Sequence, residues 1–477
     1  MRSRREFLRL GAVGAALGCT PTLLLAKDFD HLPFTGNQKQ FLKACAKGDT
    51  EKVKQLLSGS PELLSVTDGL GKSGFVLALL AGHRETGQFL KEAGYQTDLH
   101  EAALDLDWDR FEALTAEESP ATIELVNGDH PLGGNAMWAA AAGGAGTSIW
   151  RVYARCGDPN TSPREKAGST ALQKALRFPD LKTAELTAAT LLGNNADPNS
   201  PDNADQPALH IAAERGSAEL VEMLIRLGAD VDQKDNKGRS AVQLAEKFGH
   251  DEAWKLLTHH QQIPRTCRTS RTAYTAGGQA YHLPEMQDIS PFHRGKVVGF
   301  SHFNLDQVKK EVEADTRLAH SVATTSEKAV EASAHMGRKQ LVDLLLGHGA
   351  PCSLPTAVML NDFTTVKRLL DEDPNRIHER GAHDFALLWY PIIGKCDLDM
   401  TQLLLDRGVR VEQQHFLGTT ALHWACMRGP VELVELLVEN GADVNRTGRK
   451  FKTEGQRPLE MVKDEKIAGF LRSRGAK

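Results

Sequence analysis

Histidine and cysteine supply most of the bases, nucleophiles and borderline metal ligands that proteins use, so their spacing limits what chemistry a chain can do. His423 and Cys426 stand one helical turn apart, as a base and nucleophile could, but nothing at a fixed spacing supplies a third group to orient them. His378-Glu379 followed by His383 has the residue types of a helical zinc-protease site, yet it has one residue too many, and Gly381 breaks the helix. His282, His293 and His302 lie near one another at spacings that fit no standard metal site. Gly71-Lys72-Ser73 ends like a phosphate-cradling loop, but Val66 occupies the position where that loop needs glycine. Neither a nucleophile-elbow Gly-x-Ser-x-Gly nor a dinucleotide Gly-x-Gly-x-x-Gly in a strand-to-helix setting is present. The expectation is no catalytic residue, no cofactor and no metal.

The bulk properties agree. A 477-residue chain that is 41% hydrophobic and 25% charged, with net charge -5, lacks the clustered cationic excess that phosphate backbones require, so nucleic acid is not the expected partner. Beyond the N-terminus no uninterrupted apolar run is long enough to span a bilayer. Cys45, Cys156, Cys267, Cys352, Cys396 and Cys426 form no Cys-x-x-Cys pair, and most fall where a small apolar side chain suits a helix. Disulfide connectivity stays open.

The elements that position these residues recur. From about Asn37, short amphipathic helices come in pairs around glycine turns, with leucines on one face. Gly418-Thr419-Thr420-Ala421-Leu422-His423-Trp424-Ala425, then Gly429, Leu433 to Leu437 and Gly441-Ala442-Asp443-Val444-Asn445, resembles an ankyrin repeat. Thr420 can cap the first helix, Ala421 and Ala425 let neighbours approach, and Leu433, Leu436 and Leu437 form a buried stripe. Similar units open at Asp68-Gly69-Leu70-Gly71-Lys72-Ser73, at Gly168-Ser169-Thr170-Ala171-Leu172, at Pro207-Ala208-Leu209-His210 and at Asp235-Asn236-Lys237-Gly238-Arg239-Ser240. The chain also repeats itself at long range. A shift of 255 residues carries Val53 to Val308, Leu63 to Leu318, Gly82 to Gly337, Leu90 to Leu345, Gly94 to Gly349, Leu99 to Leu354 and Asp107 to Asp362. Near the C-terminus the shift falls to about 250, taking Thr170 to Thr420.

The resemblance implies an all-α ankyrin-repeat solenoid: helix-turn-helix repeats with β-hairpin-like fingers, in two duplicated arrays. Residues 37–260 are expected to hold about seven repeats and 301–477 about six, with a patternless connector over 261–300 and a polar cap at Pro458 to Ala476. It implies that His210 and His423 bond between adjacent loops. It also implies that finger tips and first helices line a groove for a protein partner, whose identity is open. Carried over position by position, the groove residues are Glu214, Arg215, Asn236, Lys237, Arg239, Lys247 and Phe248, and then Phe416, Leu417, Thr419, Met427 and Arg428. A long basic finger with Arg446, Arg449, Lys450 and Lys452 suits a solvated loop or a clamp on an acidic surface, and Trp389-Tyr390 suits the core.

Ser3-Arg4-Arg5-Glu6-Phe7-Leu8, followed by the apolar stretch from Leu10 to Ala26, resembles a twin-arginine export signal, with residues 1–26 as the signal peptide. That implies export of a protein already folded, to the periplasm or outside the cell. Cleavage after Ala26 is expected, with lipidation at Cys19 as the rival, because Ala16-Leu17-Gly18-Cys19 resembles a degraded lipoprotein box. The expected product is a monomeric, non-enzymatic scaffold. The alternative is an exported enzyme with its site in the connector or around His378–Tyr390.

Overall fold

The computed structural model describes residues 34–131, 133–160, 169–200, 206–262, 286, 288–325, 327–415, 418–448 and 455–477. The expected signal peptide with Cys19, most of the expected connector with Cys267 and His282, and Phe416, Leu417, Arg449, Lys450 and Lys452 lie outside the described residues. The chain divides into two compact units. One takes the described residues up to Ala188, Asp197–Glu222 and those from Ala229 to Gln262; the other takes Ala189–Ala196, Met223–Gly228 and those from Met286 to Lys477.

Each unit is a row of helical hairpins, and the described residues contain no strand longer than an isolated bridge. In the first unit the inner helices Gly36–Lys47, Gly74–Leu80, Leu99–Asp105, Ala136–Gly143, Ala171–Leu176, Ala208–Arg215 and Ala241–Phe248 pack each on the next. In the second, Pro291–Ser301, Ala329–His335, Leu354–Met359, Trp389–Gly394 and Ala421–Arg428 do the same, and the row closes on Pro458–Met461 and Glu465–Ser473. Alanine makes this spacing feasible: Ala102, Ala139, Ala140, Ala212, Ala245, Ala332, Ala357 and Ala425 are all fully buried, so helix backbones approach without side chains between them.

Short helices of this kind depend on their caps and packing. The Ser73 hydroxyl accepts from the Val76 amide at 3.2 Å, and the same arrangement recurs at Thr170 with Gln173 and at Ser240 with Gln243. Each such cap contributes about 1 kcal/mol. The fingers are held by single bridges, Thr67 to Ser73, Lys234 to Ser240, Val322 to Lys328, Gln414 to Thr420 and Gly448 to Gln456. Inside one finger, Asp235 accepts from the backbone amides of Lys237 and Arg239, both at 2.9 Å, which fixes the tip with a single side chain.

Positions 255 apart play the same structural part. Val53 and Val308 are both fully buried, and Asp107 and Asp362 each cap a helix, accepting from Arg110 and Thr365. The connector expectation needs correction. Its described part contains the helix Pro291–Ser301, which buries Phe292, Val297 and Val298 and packs on Ala329–His335 as the first inner helix of its row. Pro291 does not break this helix, because it stands in the first turn, where its missing amide costs nothing. The terminal cap is polar outside, with Lys463, Lys466, Arg472 and Arg474 exposed over buried Ile467 and Leu471.

Candidate functional site

The expected groove residues separate into two groups. Asn236, Lys237, Glu214, Lys247 and Arg428 are exposed, Met427 is half-buried, and the Phe248 ring is 43% exposed with the Lys247 ammonium 5.1 Å from its centre. The others hold the repeats together. Arg215 reaches back one hairpin and donates to the carbonyl oxygens of Leu176, Phe178 and Pro179. Arg239 is spent on Asp235, with Nε 2.8 Å from Oδ2. Thr419 is buried, its hydroxyl shared between His415 Nδ1 at 2.9 Å and the Trp424 indole at 3.2 Å. These three are corrections: a finger can stand proud of the surface only if some of its own polar groups are used to brace it.

The Leu-His histidines brace fingers as the resemblance implied. His210 Nε2 donates to the Arg239 carbonyl at 2.9 Å, and His423 Nε2 to that of Gln456 at 3.1 Å. His423 Nδ1 accepts from the Thr420 amide at 3.1 Å, so both of its nitrogens are engaged and neither can serve Cys426. Burial pushes the Cys45 and Cys426 thiols up to about 12, which makes them apolar packing groups.

In the second unit, four ionisable side chains from separate parts of the sequence meet. Glu327 lies in a finger, His335 ends the inner helix Ala329–His335, His302 follows Pro291–Ser301, and His383 lies in the 3₁₀ turn Ala382–Asp384. Glu327 Oε1 is 3.2 Å from His335 Nδ1, 3.2 Å from His383 Nε2 and 3.5 Å from His302 Nε2. That oxygen is buried and accepts no hydrogen bond of good geometry. Burial alone would raise the Glu327 carboxyl; His383 charge and the other two imidazoles outweigh it and hold the carboxyl well below its usual range. Burial lowers His335. For His302 the burial effect is overcome by Glu327, which raises it. Aromatic rings back the group: Phe385 stacks on His335 and on Trp389, and Trp389 donates to the His335 carbonyl at 3.0 Å. Trp389 and Tyr390 are core, as expected.

Of the sequence candidates only His302 and His383 enter this group. His293 pairs instead with Glu311 at 2.8 Å, and the 3₁₀ helix Pro374–His378 holds His378 elsewhere. Glu327 and His335 were missed because they sit within ordinary repeat positions. A second grouping, Asp98, His100 and His130, lies in the first unit. There the rings of His100 and His130 stack at 4.7 Å and 11°, His130 Nε2 lies 2.7 Å from Asp98 Oδ2, and the buried His100 Nε2 accepts or donates no hydrogen bond.

The family model for ankyrin repeats (3 copies) matches residues 182–267 and 354–448. The E3 ubiquitin-protein ligase KEG of Arabidopsis thaliana is 24% identical over 361 residues, 69% of this chain and 20% of that protein. The human ankyrin repeat domain-containing protein 63 is 30% identical over 115 residues, 24% of this chain and 30% of its own length. The chain therefore spans less than a third of each of these relatives. Among solved structures, an ankyrin repeat protein from Leishmania major aligns with TM-score 0.29 and 19% identity, covering 48% of this chain and 82% of that one. No helix among the described residues is long and apolar enough to cross a membrane.

Proposed function

Because this chain is built of ankyrin repeats, we propose that it is an exported scaffold that binds a folded protein partner and carries out no reaction on it. One observation carries the reading. The repeats use Arg215, Arg239, Thr419, His210 and His423 to fix their own fingers, while Asn236, Lys237, Lys247 and Phe248 of the first unit, and Arg428 of the second, face solvent, each set within its own unit's braced repeats. An aromatic ring, lysines and an arginine held in place on rigid elements are the groups that anchor interfaces, and preorganisation spares the ordering cost of binding. The twin-arginine pattern at Arg4-Arg5 supports work outside the cytoplasm, since that route accepts a finished solenoid.

The test is capture from the cell envelope with purified chain, comparing wild type with the Lys247→Ala, Phe248→Ala, Arg428→Ala variant. The reading expects one envelope protein retained by the wild type and lost by a variant of unchanged melting profile. Equal retention by both would remove the exposed residues from the interface.

A further inference from the structure

The His302, Glu327, His335 and His383 group is not required by the repeat architecture. Its equivalents 255 residues earlier show this. Lys47 stands for His302 at the end of the first inner helix, Lys72 for Glu327 in the finger, and Leu80 for His335 at the end of the next inner helix. The two fingers close with the same bond and the same bridge: the Asp68 amide donates to the Lys72 carbonyl at 2.8 Å and the Ala323 amide to the Glu327 carbonyl at 2.8 Å, beside the bridges Thr67 to Ser73 and Val322 to Lys328. The same hairpins therefore form with two lysines and a leucine at these places. In the second unit they are replaced by two imidazoles and a carboxylate, and a third imidazole is brought over to meet them.

That third imidazole comes at a cost. His383 has φ 53 and ψ 29, in the left-handed region that a side chain enters only under constraint. Its finger reaches past the intervening hairpin, whose inner helix is Leu354–Met359, to contact Ala329–His335. Burying a carboxylate oxygen without a hydrogen bond is likewise unfavourable unless something else neutralises it.

The outer nitrogens of two rings are already occupied. His383 Nδ1 lies 2.9 Å from Asn194 Oδ1, in the same unit, and His302 Nδ1 donates to the Val298 carbonyl at 3.0 Å. Both present Nε2 to Glu327, the way a metal-binding histidine is oriented by a partner behind it. His335 approaches through Nδ1, which also donates to the Glu331 carbonyl at 3.0 Å, so ligation there requires that bond to break and the ring proton to stand on Nε2. Glu327 Oε1 stands 3.2 to 3.5 Å from the three nitrogens, and all four ligand atoms fall within 4.8 Å of one another. Bonds of 2.0–2.1 Å to a tetrahedral ion would separate neighbouring ligands by about 3.3 Å. Adjacent rings are nearly perpendicular, at 73° and 82°, so they converge on a point instead of stacking.

We propose that His302, Glu327, His335 and His383 bind one divalent first-row transition-metal ion, of which zinc is the best fit to three imidazoles and one carboxylate with no thiolate. Glu327, His335 and His383 enclose the ion, and His302, whose side chain is 26% exposed, lies on its path to solvent. The ion ties the first two inner helices of the second unit to the finger that precedes the fourth.

The experiment uses tag-free full-length chain, stripped with chelator, re-equilibrated with Zn²⁺ and desalted before elemental analysis. One zinc per chain is expected in the wild type, and less than about a tenth of that in His383→Ala and in Glu327→Gln, while His130→Ala keeps full stoichiometry. With Co²⁺ as probe, the wild type should show the intense visible bands of a tetrahedral site, absent from His383→Ala. A wild type without stoichiometric zinc overturns the proposal, as does a His383→Ala chain that keeps its zinc. If Glu327→Gln fails to fold, His383→Ala alone decides, since it empties a ligand position in a short 3₁₀ turn outside the packed inner helices.

Discussion

The Trp389 indole nitrogen donates to the main-chain oxygen of His335 at 3.0 Å, linking two inner helices that are not neighbours in the row. Leu354–Met359 lies between them in sequence and is only a turn and a half long, which lets Ala329–His335 and Trp389–Gly394 touch. Phe385 fills the rest of the gap, stacked 5.3 Å from His335 and 5.1 Å from Trp389.

Trp389→Phe should therefore destabilise the second unit by about 2 to 3 kcal/mol, combining a lost buried hydrogen bond with lost volume against Trp424. Urea unfolding followed by far-ultraviolet circular dichroism measures it. A change below about 0.5 kcal/mol would mean the bond contributes nothing to the link.

Gly381 is fixed by a close approach. A Cβ there would lie 1.6 Å from Tyr390 Oη, so Gly381→Ala must displace the finger that carries His383. The expected loss is about 2 kcal/mol or more of stability, with a parallel fall in bound zinc. Tyr390→Phe alone should be neutral or slightly stabilising, because that hydroxyl is buried without a partner. A strongly destabilised Tyr390→Phe would show that the hydroxyl is bonded in solution.

His100 makes the first unit sensitive to acid. Burial, reinforced by the nearby charge of His130 and opposed by Asp98, lowers its imidazole to about 4. Above the ordinary value of 6.5 the ring is neutral folded or unfolded, and its contribution is fully present. As pH falls from 6.5 towards 4 the unfolded chain takes up a proton that the folded chain refuses, so stability drops, by up to about 3 kcal/mol. His100→Gln should flatten the fall in unfolding free energy between pH 7 and pH 4. Parallel profiles for the two chains would assign the acid sensitivity to other groups.

The hairpins were legible because each is specified locally: a capping Thr or Ser, alanines on the inner face, leucines on the outer helix and a turn glycine. The helix Pro291–Ser301 was harder to read, since its proline resembles a break unless the burial of Val297 and Val298 is known. Thr419 and Arg239 were misplaced on the groove because a finger's exposed tip and its internal brace differ by one residue, which only geometry separates. Glu327 and His335 gave no motif at all. Their proximity to His383 depends on a finger passing over a whole hairpin, a contact that no periodicity encodes, although the 255-residue shift marks them as places where the second half departs from the first.

A row of hairpins touching only their neighbours can peel from an end one unit at a time, each opening being local. The reach from His383 and Trp389 back to Ala329–His335 closes a ring of three hairpins within the second unit. Pulled from the C-terminus, such a chain yields gradually until it meets that ring, and then those hairpins give way in one step: the brace acts as a ratchet stop in an otherwise extensible spring.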